Sequence, residues 1–168
     1  FAISVHELPS HCSTLTVVGA PPEIVKAAVR ASIEVKTQLL DDERLMGQIA
    51  QLAGRCVAAL NVGGKIIFCG NGGSFADAQH LSAEFTSRFL FDRPGLASIA
   101  LGTNSSAMTA IGNDYGYDNV FAREIESIAN PTDVIIAITT SGNSSNILKG
   151  LEAAKNNDLI EVADALGD

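Results

Sequence analysis

The sequence predicts an α/β fold: a three-layer sandwich whose middle layer is a doubly wound parallel sheet of flavodoxin-like type, with extra helices at its N-terminal side. Three observations predict it. Short apolar runs alternate with helical patterns from Lys65 onward, which is the signature of strand–helix–strand units. The runs at 66–69 (IIFC), 97–101 (ASIAL) and 133–138 (DVIIAI) are apolar almost throughout, as strands covered on both faces must be. Two of them pass directly into turns rich in glycine and hydroxyls, GNGGS and TTSGNSS, which then open helices.

Composition sets the outer limits. A chain of 168 residues, 46% hydrophobic, is one ordinary domain with enough apolar material for a core. Trp is absent and aromatics make up 5%, so that core must be aliphatic. The formal charge of −8 argues against nucleic acid or an anionic membrane surface as a bulk electrostatic partner. A small phosphorylated ligand is compatible with it, because a helix N-terminus acts locally. Three cysteines, an odd number without disulfide spacing, fit reduced residues of a cytoplasmic protein, with Cys56 on a helix and Cys69 in a strand. No run is long and apolar enough to span a membrane. The chain opens on Phe1 rather than Met, so a natural start upstream is expected.

In chain order, residues 1–20 form an unassigned arm interrupted by prolines, and 21–168 are expected to form the domain. A first helix is predicted from Pro22, with Glu23 in its first turn and Ile24, Val25, Ala28, Ile33 and Leu39 on its apolar side. Asp41, Asp42 and Glu43 open a second helix, whose Leu45, Ile49, Leu52, Cys56 and Leu60 recur at helical spacing; Gly63 and Gly64 end it. After the 97–101 strand comes a polar loop, a short helix, and a turn expected at Gly112 to Gly116. Residues 117–129 read as a helix burying Val120, Phe121, Ile125 and Ile128. The last helix carries Ile147, Leu148, Leu151 and Ala154. If the 66–69 strand lies between the other two, the switch point falls between it and the 133–138 strand, and the turns at 70–74 and 139–144 face one crevice.

Chemistry concentrates in the stretch 65–88. Gly70, Asn71, Gly72 and Gly73 follow the first strand; Ser74 is the expected N-cap and Asp77 the expected first-turn acid. A glycine turn into a helix N-terminus offers free N–H groups and the positive end of the dipole, a site for an anion. His80 and Glu84, four residues apart and expected one to two turns into the helix, share a face as a base or a metal pair. A single glycine turn is more often only a turn, and a single helix histidine more often structural. Two such turns at one crevice are what make a phosphate site credible.

The segments CGNGGSFADAQHLSAEFTSRF, IGNDYGYDNVFAREIES and ITTSGNSSNILKGLEAAK, in that order and spacing, resemble the phosphoheptose isomerase family of the sugar-isomerase (SIS) fold over about residues 41–156. The resemblance implies a cytoplasmic homotetramer that converts D-sedoheptulose 7-phosphate to D-glycero-D-manno-heptose 7-phosphate, the first step of bacterial heptose and lipopolysaccharide biosynthesis. It implies substrate contacts from Asn71, Gly72, Gly73, Ser74, Arg88, Asn113 and Asp114, and a phosphate held by Thr139, Thr140, Ser141 and Ser144. It implies Glu84 as the catalytic base and His80 with Glu84 as two of the ligands of a zinc ion.

The family pattern continues with a further strand, a T-G-x-x-G-G turn and a closing helix that supplies a Gln and a His. Here Asn157 passes directly into DLIEVADALGD, and the C-terminal part of the pattern is missing from the sequence. A second reading from another class is a non-catalytic binder on the same fold, such as the relative that associates with the bacterial replication initiator, or a sugar-phosphate sensor. The initiator-associating relative lacks an acid at the position of Glu84 and has Asn where this chain has Asp77; both acids here favour the enzyme.

Overall fold

The parallel sheet and its helices are laid out in a computed structural model that describes residues 21–157 and 160–165. The 1–20 arm lies outside the described residues. In order the elements are α1 (Pro22–Asp41), α2 (Glu43–Asn61), β1 (Ile66–Gly70), α3 (Gly73–Thr86), β2 (Ser98–Ala100) and α4 (Ser105–Tyr115). A 3-10 turn (Tyr117–Asn119) then leads into α5 (Val120–Ile128), β3 (Val134–Thr139), α6 (Ser145–Asn156) and β4 (Ile160–Ala165). The chain divides between Ile49 and Ala50 into two compact units.

In the first unit, α1 starts with Pro22 at a position where its missing N–H costs nothing. It buries none of its residues, and Val25, Val29, Ile33 and Leu40 stand exposed. The carboxylate of Asp42 opens α2 by accepting from Leu45 N–H at 2.9 Å.

The second unit holds the sheet, with strands in the order β2-β1-β3-β4, all parallel. The expected central place of β1 is what the structure has. Pairing Ile66 with Val134 and Ile67 with Ile135 sorts the side chains onto two faces by the period of two. Ile67, Cys69, Ile135 and Ala137 pack with Leu101, Val120, Phe121, Ile125 and Ile147, the layer of α5 and α6. Ile66, Phe68 and Val134 pack with Cys56 and Ala59 of α2 and Ala78 of α3 on the other face. Phe85 adds a tilted ring contact to Phe68, centroids 5.9 Å apart. Each large side chain buried outright contributes about 1.5–3 kcal/mol, so the two aliphatic layers carry the unit. Among the described residues no helix is long and apolar enough to cross a membrane.

Several expectations need correction. The turn expected at Gly112 to Gly116 is helix up to Tyr115: the Asn104 side chain caps α4 by accepting from Ala107 N–H, and the backbone ladder overrides the local turn preference of Asn113 and Asp114. Ile128 is exposed, since the inner face of α5 is completed by the smaller Ala122. No strand is expected after Asn157 from the sequence, yet β4 pairs with β3 from Ile160 to Ala165.

Where β1 and β3 begin, Asp133 is buried and accepts from Lys65 N–H at 2.8 Å, Asn130 N–H at 2.8 Å and the Lys65 ammonium at 2.5 Å. Val134 N–H in turn donates to Lys65 O at 3.1 Å. Asp133→Ala would strand two backbone donors and a partly buried cation, and should cost about 2–4 kcal/mol in urea denaturation. A loss below about 1 kcal/mol would show the contact to be incidental.

Candidate functional site

The switch point between β1 and β3 shapes the site. Gly70 ends β1 so close to the next turn that a Cβ there would lie 2.5 Å from Ser74 O, so only glycine allows the approach. Gly72 takes φ +56, which a side chain would resist, and reverses the chain into α3. The helix therefore starts at Gly73, earlier than expected. Ser74 is not the N-cap; Gly72 holds that place and has no side chain to cap with. Ser74 is the second helical residue, its hydroxyl left for other partners, and Asp77 falls beyond the first turn.

Across the crevice the second turn is held by its own hydroxyls. Thr139 Oγ1 accepts from Gly142 N–H and Ser141 Oγ from Asn143 N–H, each at 3.3 Å. A hydroxyl that accepts from the backbone keeps its own proton, so both stay able to donate. Ser144 stands at the N-cap of α6 without a side-chain capping bond. Asn71, Ser74, Ile138, Thr139, Thr140, Ser141 and Ser144 line one crevice of about 50 Å³. Two helix N-termini and a row of hydroxyls thus converge, an arrangement that favours an anion. The expected convergence of the two turns is present.

Asn71 is also a wall of a second cavity, about 230 Å³, lined with Gly72, Phe75, Gly102, Ser105, Met108, Thr109 and Tyr117. Beside it, Glu124 accepts from Gly102 N–H at 2.6 Å. Burial pushes the Glu124 carboxyl up, and the Gly102 bond opposes this only in part. Burial also pushes the Cys69 thiol up to about 12. Cys56 is likewise buried and raised. These are inert core thiols rather than nucleophiles.

The remaining expected residues do not line the crevice. Gly73 begins α3. Asn113 and Asp114 are exposed in the last turn of α4, hydrogen-bonded to each other at 2.7 Å, and line neither cavity. Arg88 is exposed just past α3. His80 and Glu84 do share a face, with Nε2 and Oε1 3.6 Å apart. Their depth is a correction: on a helix starting at Gly73 they stand about two and three turns in, and Glu84 is about 15 Å along the axis from Ser74. Neither lines the crevice. Among the described residues no three His, Cys, Asp or Glu side chains gather, so these residues alone do not complete a zinc sphere.

Three contributors escaped the sequence reading. Asn146, buried in the first turn of α6, exchanges two hydrogen bonds with Asn71, and the Tyr117 hydroxyl donates to Asn71 at 3.1 Å. Glu124 is the third. None has a local signal, because each partner lies far away in sequence.

A parallel sheet whose switch point joins two glycine- and hydroxyl-rich turns defines a sugar-isomerase-type domain, and the profile of the SIS domain family matches residues 29–163. The chain is 49% identical to the phosphoheptose isomerase of Aneurinibacillus thermoaerophilus over 140 residues, 83% of this chain and 71% of that protein. It is 51% identical to phosphoheptose isomerase 2 of Campylobacter jejuni over 138 residues, 82% of this chain and 69% of the relative. The structure of phosphoheptose isomerase GmhA from Neisseria gonorrhoeae superposes with a TM-score of 0.77 at 41% identity, covering 86% of this chain and 73% of that one. The chain belongs to the phosphoheptose isomerase family, a family of enzymes.

Glu124 gives a pH test. Its carboxyl is raised in the fold, so its contribution to stability is full below the ordinary carboxyl value and fades as pH rises through the folded value. Gln at 124 keeps an acceptor for Gly102 N–H and cannot ionise. Relative to the parent, Glu124→Gln should gain stability in urea denaturation as pH rises above the ordinary carboxyl range, the gain levelling off once the folded carboxyl is ionised. A difference that stays flat with pH would refute the burial argument.

Proposed function

We propose that the chain is an aldose–ketose isomerase that converts D-sedoheptulose 7-phosphate to D-glycero-D-manno-heptose 7-phosphate through an enediol, the first step of bacterial heptose and lipopolysaccharide biosynthesis. The observation that carries the reading is the convergence of the turns bearing Ser74 and Ser144 on one crevice, in a chain about half identical to named phosphoheptose isomerases. Asn71, Gly72, Gly73 and Ser74 would hold the sugar phosphate, Thr139, Thr140, Ser141 and Ser144 its phosphate, and Arg88, Asn113 and Asp114 would contact the sugar. Backbone N–H groups at the two helix starts and the crevice hydroxyls, whose protons are free to donate, suit phosphate oxygens.

Glu84 is the base in this reading. It takes a proton from C1 of the open-chain ketose and returns it to C2, while the carbonyl and hydroxyl oxygens exchange theirs. The phosphate is at the opposite end of the sugar from the reacting carbons, so a base remote from the crevice is in the right sense. Only the open chain has the free carbonyl that an enediol needs, and it is also the longest form, which suits the distance between Ser74 and Glu84. Zinc enters the proposal only through His80 and Glu84 as two of its ligands. A homotetramer is supported by the exposed apolar residues of α1 and by exposed Phe89, Leu90 and Phe91. A cytoplasmic setting is supported by the two buried free thiols.

Ser74→Ala and Ser144→Ala should each weaken binding of sedoheptulose 7-phosphate by about 1–3 kcal/mol in calorimetric titration. If one variant binds like the parent, the two turns do not share a ligand. Glu84→Gln should bind normally while product formation falls by at least ~10²-fold. Full activity in that variant removes Glu84 as the base, and a parent that binds without turning over supports the non-catalytic reading. Light scattering at micromolar concentration should give a tetramer; a monomer would refute the assembly.

A further inference from the structure

Asn71 divides the two cavities, and its amide is held from two directions. Its Oδ1 accepts from Asn146 Nδ2 at 2.8 Å and from the Tyr117 hydroxyl at 3.1 Å. Its Nδ2 donates to Asn146 Oδ1 at 2.9 Å. Both lone pairs of the oxygen are used, while one N–H of the amide stays free. Held in this way, Asn71 can offer a ligand a donor and no acceptor. A freely rotating amide would present its oxygen as readily as its nitrogen, and that oxygen would repel a phosphate or compete for its place.

Asn146 is 3% exposed, so its position carries a desolvation cost that only its two bonds to Asn71 offset. It belongs to α6, and Asn71 to the turn after β1, so the pair bolts the two helix starts together across the crevice. Tyr117 adds a third element, the 3-10 turn that leads into α5.

We infer that Asn146 is a positioning residue, and Tyr117 its helper, for recognition of phosphate oxygens by Asn71. The pair fixes which end of the Asn71 amide faces the crevice and holds the spacing between the two turns. The ligand's identity as a sugar phosphate rests on the isomerase reading; the clamp itself needs only an oxyanion in the crevice.

The test is a set of double-mutant cycles on the full chain, read by titration with inorganic phosphate and by KM and kcat with sedoheptulose 7-phosphate. Asn146→Ala should weaken phosphate binding and raise KM by about tenfold, the scale of one to two lost hydrogen bonds, with kcat changed much less. Tyr117→Phe, which removes one exposed hydroxyl and leaves the core intact, should do the same by about two- to fivefold. On an Asn71→Ala background neither change should add more than about twofold, since both act through that amide. Losses that multiply, or a Tyr117→Phe variant that binds phosphate like the parent, would overturn the clamp. If Asn146→Ala does not fold, the Tyr117 and Asn71 cycle decides alone. A parent that binds phosphate but does not convert the sugar refutes the isomerase reading and leaves the clamp to be judged by the cycles; a parent that binds no phosphate overturns the clamp as a recognition device.

Discussion

Parallel pairing of β1 with β3 is the constraint from which the site follows. Register sets Gly70 beside Ile138, so the turns that follow these residues leave the sheet at one edge and side by side. The pairing is anchored at its other end by Asp133, whose carboxylate collects the start of both strands. Because β2 pairs with the opposite side of β1, the chain leaves β1 and β3 on different sides of the sheet, and the space between the two exits is the crevice. Neither turn has to evolve a pocket by itself.

The same geometry explains why the anion-facing donors need so little charge. Arg88 does not line the crevice, whose polar lining is hydroxyl and amide without a cation. A chain of net charge −8 would hold a phosphate poorly by long-range attraction. Backbone N–H groups at two helix starts act over a few ångströms and are insensitive to that background. In the proposed reading, local dipoles carry the recognition that a basic patch would carry elsewhere.

Much of this was legible in the sequence, for reasons that differ by element. The strands at 66–69 and 133–138 announced themselves because both faces are buried, leaving no polar alternation to confuse the reading. Order and pairing followed from handedness and from the two turns. The start of α3 was read one or two residues late because Ser is a good cap, whereas the close approach of Gly70 to Ser74 is a three-dimensional fact. Glu84 is far from the crevice for a simpler reason: ten helical residues after Ser74 amount to nearly three turns, about 15 Å. The turn expected at Asn113 failed because a cap at Asn104, nine residues earlier, had already committed the backbone to helix. The amide pair of Asn71 and Asn146 spans 75 residues and leaves no periodicity to find. Local chemistry is readable; pairs that meet only in the fold are not.

The central position of β1 also has a consequence for synthesis. Five consecutive residues, Ile66 to Gly70, are buried only when strands on both sides are in place, and their partners in β3 lie 68 residues further along. At 5–20 residues per second, translation of that interval takes roughly 3–14 s. For that time β1 can pair with β2 alone, and one edge of an apolar strand stays open. The pairing of β3 with β4 can close only after Ala165 has emerged. Long-range parallel pairing folds slowly for the same reason, since loop closure precedes its reward. Until β3 is made, the open edge of β1 is where the nascent chain can pair wrongly with another strand.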